Sequence, residues 1–260
     1  MLEQHIHAYL RASAAQRTHR LGSFLVLLDE HDSGRYFNYA VPDDDFEPTA
    51  QDIAALIAHF HEKSRMPRLE YLPAACPALE SALMAAGFTV ETPVPILTCA
   101  PEAASAPSTA GITVLFASTD AQVRQAAQVQ ALAYGGTDAT THDAARLRRV
   151  IDGGGLVALA VQDASGIAVG SGQLGPPHLS GQRTGSADEI GGISEIAAIA
   201  VLASHRRRGI AAAVTAALTR SAPSVGVGTP FLMTVGAAEE RVYQRVGYRR
   251  AARMLHISRP

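Results

Sequence analysis

The stretch with the residue types best suited to chemistry runs from Glu195 to Leu218. A short apolar segment with Ile196, Ile199, Ala200 and Val201 ends at Ala203-Ser204-His205. Arg206, Arg207, Arg208 and Gly209 follow, then an alanine-rich run opened by Ile210 and Ala211. The order predicts a buried strand, a tight basic loop and a helix. A helix start leaves backbone N–H groups unpaired and carries partial positive charge. Gly209 lets a ligand approach the main chain without Cβ interference, and the guanidinium charges are permanent. Together they suit a phosphate or pyrophosphate. A solvated basic turn before an ordinary helix is the other reading of the same residues.

The surrounding elements must position this loop. Helical spacing covers 2–20, 52–63, 77–86, 120–132, 143–151 and 238–246. Strand signals cover 24–28, 36–41, 68–72, 89–99, 112–116, 156–161, 167–173, 230–235 and 251–257. Asp120 is the expected N-cap of its helix. Pro101 to Ala110 is rich in Ala, Ser and Pro and reads as a linker between two halves. Shifting the chain by about 160 positions aligns the ends of the halves. Tyr39-Ala40-Val41 meets Ile199-Ala200-Val201, and Gly87-Phe88 meets Gly247-Tyr248. Opposite Arg206–Ala211 stand Phe46 to Gln51, which hold neither glycine nor arginine and follow Asp43-Asp44-Asp45. Only the second half therefore carries the anion device.

Composition narrows the classes. A 47% hydrophobic and 18% charged chain is expected to be globular. Its apolar runs are too short or too alanine-rich for a bilayer, so no membrane partner is expected. The net charge of −2 gives no general case for nucleic acid. Glu3, His5 and His7 occupy the place where a secretory leader needs an apolar core, and Cys76 and Cys99 have no zinc spacing, so a cytoplasmic protein without a metal is expected. Gly170-Ser171-Gly172-Gln173-Leu174-Gly175 matches a dinucleotide pattern, but Pro176-Pro177 stand where its helix should begin. His5/His7 and His59/His61 have a spacing that does not align side chains on a helix.

A second stretch, Glu240-Arg241-Val242-Tyr243-Gln244-Arg245-Val246-Gly247-Tyr248, completes a resemblance to the GNAT superfamily of acetyl-CoA-dependent N-acetyltransferases. That family joins a strand to a helix through Gln/Arg-x-x-Gly-x-Gly/Ala, here Arg206–Ala211. It then places a tyrosine on a helix that ends in Gly-Phe or Gly-Tyr. The resemblance spans about 111–258, and its specific motifs lie in 195–248. Its implied fold is α+β (α/β), with two GNAT-like domains, each a mixed, mostly antiparallel twisted sheet flanked by helices. A degenerate copy would occupy 1–100, the linker 101–110 and the acetyltransferase domain 111–260.

The resemblance implies transfer of an acetyl group from acetyl-CoA to a primary amine of a small molecule or peptide, by direct attack in a ternary complex. Arg206, Arg207, Arg208, Gly209, Ile210 and Ala211 would hold the pyrophosphate. Ile199, Ala200 and Val201 would pair with the pantetheine arm like an added strand, and a backbone N–H near Val201 would stabilise the oxyanion. Tyr243 would serve the departing sulfur, since a phenol stays protonated at neutral pH; the alternative is an amphipathic ring with a wet hydroxyl. Glu195 would take the amine's proton, or is a solvated strand-end carboxylate. His142, His178, Asp188 and Glu189 flank the expected acceptor pocket and are more simply surface residues. A homodimer is compatible with the family. The competing class is a non-catalytic acyl-CoA-binding or interaction protein that keeps the loop without turnover.

Overall fold

The strand and helix signals resolve into two units in the computed structural model, which describes residues 2–15, 18–179 and 191–260. One unit is Met1–Ile96 with Ala251–Pro260, and the other is Leu97–Arg250. The first holds α1 (Leu2–Ala15), β1 (Thr18–Leu21), β2 (Phe24–Leu27), β3 (Tyr39–Pro42), α2 (Ala50–Glu62), β4 (Arg68–Tyr71), α3 (Leu79–Ala85) and β5 (Thr89–Val90). β6 (Val94–Thr98) spans the first boundary in the chain. The second unit holds β7 (Ile112–Phe116), α4 (Asp120–Ala133), α5 (Thr141–Asp152), β8 (Leu156–Gln162), β9 (Ala168–Leu174), β10 (Gly192–Val201), α6 (Ile210–Ser221), β11 (Val227–Met233) and α7 (Ala237–Val246). β12 (Arg249–Ser258) begins at the second boundary and belongs mostly to the first unit.

Each unit has a mixed, mostly antiparallel sheet. In the first the order is β1-β2-β3-β4-β12, with β5 also on β12, and among the described residues only β3–β4 is parallel. In the second the order is β11-β10-β9-β8-β7, and among the described residues only β10–β11 is parallel. Apolar residues at helical spacing explain the packing in the second unit. Val123, Ala126, Ala127 and Val129 of α4 bury with Leu147 of α5. Ile210, Val214 and Leu218 of α6 join a separate cluster with Val169, Leu174 and Ile196. The 160-residue offset recurs in the elements: α2 starts at Ala50 and α6 at Ile210, and each lies between two strands that pair in parallel.

Gly170-x-Gly172 has a structural use. Both lie on β9 beneath α6. A Cβ on Gly170 would sit 2.7 Å from Ile210 Cγ2, and one on Gly172 would sit 2.9 Å from Val214 Cγ1 and would also meet Ile199. The pattern is thus a strand face stripped of side chains, so that the helix can approach closely.

Three expectations change. The first helix ends at Ala15, and Thr18–Leu21 instead pairs with Phe24–Leu27 around Gly22 at φ 55; the hairpin's ladder outweighs local helix spacing. Thr119, not Asp120, caps α4 through a reciprocal box with Gln122, while Asp120 pairs with Arg148. The two compact units part after Ile96 and after Arg250, where the sequence suggests domains over 1–100 and 111–260. The stretch expected as a linker is packed into the second unit. Ala104 is buried, Ser105 N–H donates to Val246 O at 2.9 Å, and Arg220 donates to Ala104 O at 3.3 Å. Small side chains that read as a linker in sequence here allow close backbone packing.

The first unit also buries His7, whose Nδ1 pairs with Asp44, and His256, 3.7 Å from Glu70. Burial lowers both imidazoles below 6.5, although the neighbouring carboxylates oppose it. Both are therefore neutral in the fold and take up protons more readily when unfolded. The stability they support is intact above pH 6.5 and is lost as pH falls below it. Thermal unfolding from about pH 8 to about pH 5.5 should show a falling midpoint, and His256→Gln should flatten the decline. In the second unit, Gly172→Ala should destabilise by roughly 1–3 kcal/mol through overpacking, read from denaturant unfolding.

Candidate functional site

The site is built where β10 parts from β11. Their parallel pairing covers Gly192–Glu195 against Val227–Phe231 and ends there. β10 continues beside β9 as far as Val201, but its register shifts between Ala197 and Ala200. Within the shift Ala198 has φ 53, a left-handed conformation that costs a non-glycine residue roughly 1–2 kcal/mol. This is a β-bulge, which bends the strand and raises its local twist. Leu202 N–H donates to Val169 O, so by strand alternation Ala200 also faces β9. Ile199 and Val201 therefore turn their backbone groups to the open side.

The basic loop lies at the end of that open edge. Ala203–His205 form one 3₁₀ turn, Arg206 is extended, and Arg207 and Gly209 are left-handed at φ 62 and φ 82. Gly209 caps α6 with no side-chain bond. The first helical bond is Ala213 N–H to Gly209 O at 3.0 Å. Among the described residues the N–H groups of Ile210, Ala211 and Ala212 have no backbone partner. The other two long helices of this unit, α4 and α5, satisfy their starts with capping boxes. In the first unit α2 does the same, through Thr49 and Asp52. A carboxylate thus already occupies the place where an anion would sit on α2.

The three arginines have different roles. Arg206 Nε donates to Val201 O and its Nη2 to Ala133 O, each at 3.2 Å. It braces the end of β10 to the end of α4. Arg207 and Arg208 are exposed and, among the described residues, make no side-chain hydrogen bond or ion pair. Ile210 is buried and anchors the helix start, while Ala211 is half-buried. Farther along α6, Thr219 Oγ1 meets both Thr215 O and the Tyr248 hydroxyl at 2.7 Å. The helix is thereby tied to the residue that follows Gly247.

Tyr243 lies on the inner face of α7, with its ring edge-on to Tyr248 at 6.3 Å. It is only 8% exposed, and among the described residues its hydroxyl has no hydrogen-bond partner. Burial raises its pKa, with smaller contributions from Glu239 and Tyr134. The phenol is a donor at any physiological pH and cannot act as a base. Glu195 is half-buried at the last position paired to β11, and its carbonyl accepts from Gly175 N–H at 2.9 Å. His178 bridges to Ile193 beside the start of β10, and His142 is on α5. Asp188 and Glu189 lie outside the described residues. The acidic run is engaged in the first unit: Asp43 pairs with Arg11 and Arg20, and Asp44 with His7. Among the described residues no group of three or more His, Cys, Asp or Glu could hold a metal, and no helix is long and apolar enough to cross a membrane.

Sequence reasoning missed three contributors. Ala198 carries the bulge, and an alanine gives no local sign of it. Tyr134, at the end of α4, reaches Ile199 O with its hydroxyl at 3.4 Å. Thr109 is beside Gly209, with its Oγ1 3.4 Å from where a Cβ would stand. Only the paired glycines of β9 left a readable pattern.

Residues 125–248 match the model of the acetyltransferase (GNAT) family. Solved structures share the fold over 90–100% of the chain. A GCN5-related N-acetyltransferase from Kribbella flavida is 20% identical, with TM-score 0.75, covering 100% of this chain and 96% of its own. A second from Sphaerobacter thermophilus is 16% identical, with TM-score 0.62, covering 100% and 92%. A tandem GNAT protein of the clavulanic acid biosynthesis pathway is 12% identical, with TM-score 0.61, covering 90% and 77%. No curated protein matches the sequence.

The geometry separates the arginines experimentally. Arg206→Ala should lower the thermal midpoint by about 2–4 °C, equivalent to roughly 1 kcal/mol. Arg207→Ala and Arg208→Ala should leave stability within about 0.5 kcal/mol and weaken inorganic pyrophosphate binding in a salt-dependent way. An unchanged midpoint for Arg206→Ala would show that its two carbonyl bonds hold nothing in place.

Proposed function

We propose that the second unit transfers an acetyl group from acetyl-CoA to a primary amine of a small molecule or peptide. The observation that carries this reading is the adjacency of two different sites on one path. The open edge of β10 offers Ile199 and Val201 to an extended, amide-bearing chain. The uncapped start of α6, with Arg207 and Arg208 exposed beside it, offers N–H groups and positive charge to a dianion. Acyl-CoA presents these two features in the same order: a pantetheine arm with two amides, then a pyrophosphate. The edge would bind the arm as an added strand, and the helix start would bind the phosphates.

The chemistry follows from the thioester. The neutral amine attacks the carbonyl carbon, and the C–N bond forms as the π electrons move to oxygen. A backbone N–H on the open edge, at or near Val201, would stabilise that oxyanion. Collapse re-forms the carbonyl, breaks the C–S bond and releases a thiolate. Glu195, at the last paired position, takes the proton lost by the amine, directly or through water. Tyr243 serves the sulfur as a hydrogen-bond donor. Its pKa is raised by burial, whereas an ordinary thiol titrates near 8.5. Full proton transfer from phenol to sulfur is therefore uphill, and the thiolate takes its proton from solvent. Two buried free thiols, Cys76 and Cys99, agree with a reducing cytoplasmic setting.

Incubation with acetyl-CoA and a panel of amines, followed by thiol release, tests the reading. A hydrogen bond to a charged group contributes about 1.5–3 kcal/mol, so Tyr243→Phe should lower kcat roughly 10- to 150-fold with CoA affinity nearly unchanged. Stabilisation by CoA without thiol release across a broad panel would favour a binding protein. No stabilisation by CoA would remove the acyl-CoA assignment.

A further inference from the structure

The open edge of β10 is held at both of its outward carbonyls by side chains. Val201 O accepts from Arg206 Nε at 3.2 Å, and Ile199 O accepts from the Tyr134 hydroxyl at 3.4 Å. The two contacts are coupled, because Arg206 also donates to Ala133 O, the residue before Tyr134. Tyr134 is the C-cap of α4, and its own N–H bonds back to Gln130 O and Leu132 O. Gly135 follows at φ 91 and Gly136 N–H closes on Ala131 O. The backbone here is fixed, so any motion of Tyr134 is rotation of its side chain. The residue is 67% exposed, which leaves the ring room to turn. Tyr134 therefore stands against the open edge of β10.

We propose that Tyr134 is a gating residue of the slot, whose hydroxyl holds the Ile199 carbonyl in competition with the amide of an incoming pantetheine arm. This rests on the acyl-CoA reading given above. A strand-like ligand laid parallel to the edge uses the outward C=O of Ile199 and the outward N–H of Val201, so Arg206 can stay on the Val201 carbonyl. Arg206 approaches Val201 from the loop end of the edge and keeps it extended. Tyr134 approaches from the α4 end and must rotate off Ile199 for the arm to lie down. The apparent affinity is then the intrinsic affinity scaled by the fraction of molecules with the ring turned away. Side-chain rotation is far faster than binding, so the cost falls on the association rate and not on dissociation.

Tyr134→Phe keeps the ring and removes the bond. Its dissociation constant for CoA, read by calorimetry, should fall about two- to tenfold, the range for one neutral hydrogen bond. In stopped-flow binding the gain should lie in the association rate, with dissociation unchanged. Tyr134→Leu is a second variant that removes the hydroxyl and should bind at least as well as the parent. If the parent binds CoA and Tyr134→Phe binds equally or more weakly, the gate is wrong and the acyl-CoA reading stands. If Tyr134→Leu weakens binding through faster dissociation, the ring is a wall of the slot and the gate is again wrong. A parent chain that binds no CoA overturns the acyl-CoA reading, and the gate falls with it.

Discussion

The second unit depends on one interruption of hydrogen bonding. β10 pairs with β11 only as far as Glu195, then continues alone on that side to Val201. An unpaired strand edge inside a sheet exposes polar groups that normally carry a ladder. The bulge at Ala198 sustains the separation by bending β10, at the cost of a left-handed alanine. Arg206 and Tyr134 then occupy the two outward carbonyls. The edge is thus kept extended by side chains from the flanking loop and helix. A third strand would fill it and end its use.

The second constraint is the place of α6. Its uncapped start follows the loop at the end of the open edge. Close packing fixes that position: Gly170 and Gly172 remove side chains from β9, so Ile210 and Val214 can settle on the backbone. Thr219 and Tyr248 hold the far end. Tyr243 is joined to the same contacts, because its ring lies edge-on to Tyr248. The loop, the helix and the tyrosine are therefore one assembly.

The first unit has a helix in a similar place between parallel-paired strands, without these devices. Its α2 starts 160 positions before α6 and follows a strand that also pairs in parallel with the next. Yet Thr49 and Asp52 cap that helix reciprocally, and the preceding aspartates are drawn into ion pairs with Arg11, Arg20 and His7. A capped, carboxylate-bearing helix start repels an anion. At their helix starts the two units differ in Thr49 and Asp52 on one side and Gly209 on the other.

Much of this was legible in the sequence. The order strand, basic loop, helix fixed the chemistry expected of Arg206–Ala211, because helix propensity, glycine and charge are local properties. The second motif around Tyr243 and the offset repeat were also readable, as was the contrast at Phe46–Gln51. Boundaries and pairings were not. The 101–110 stretch reads as a linker by composition, yet Ala104 is a core residue of the second unit, because burial depends on what packs against a segment. Ala251–Pro260 continues the second half in sequence but belongs to the first unit, since strand partners are chosen through space. The bulge at Ala198, the divided duties of the arginines and the reach of Tyr134 to Ile199 have no local signature at all. Residue type and spacing state what a side chain can do; only tertiary contacts decide which carbonyl it meets and whether an edge stays open.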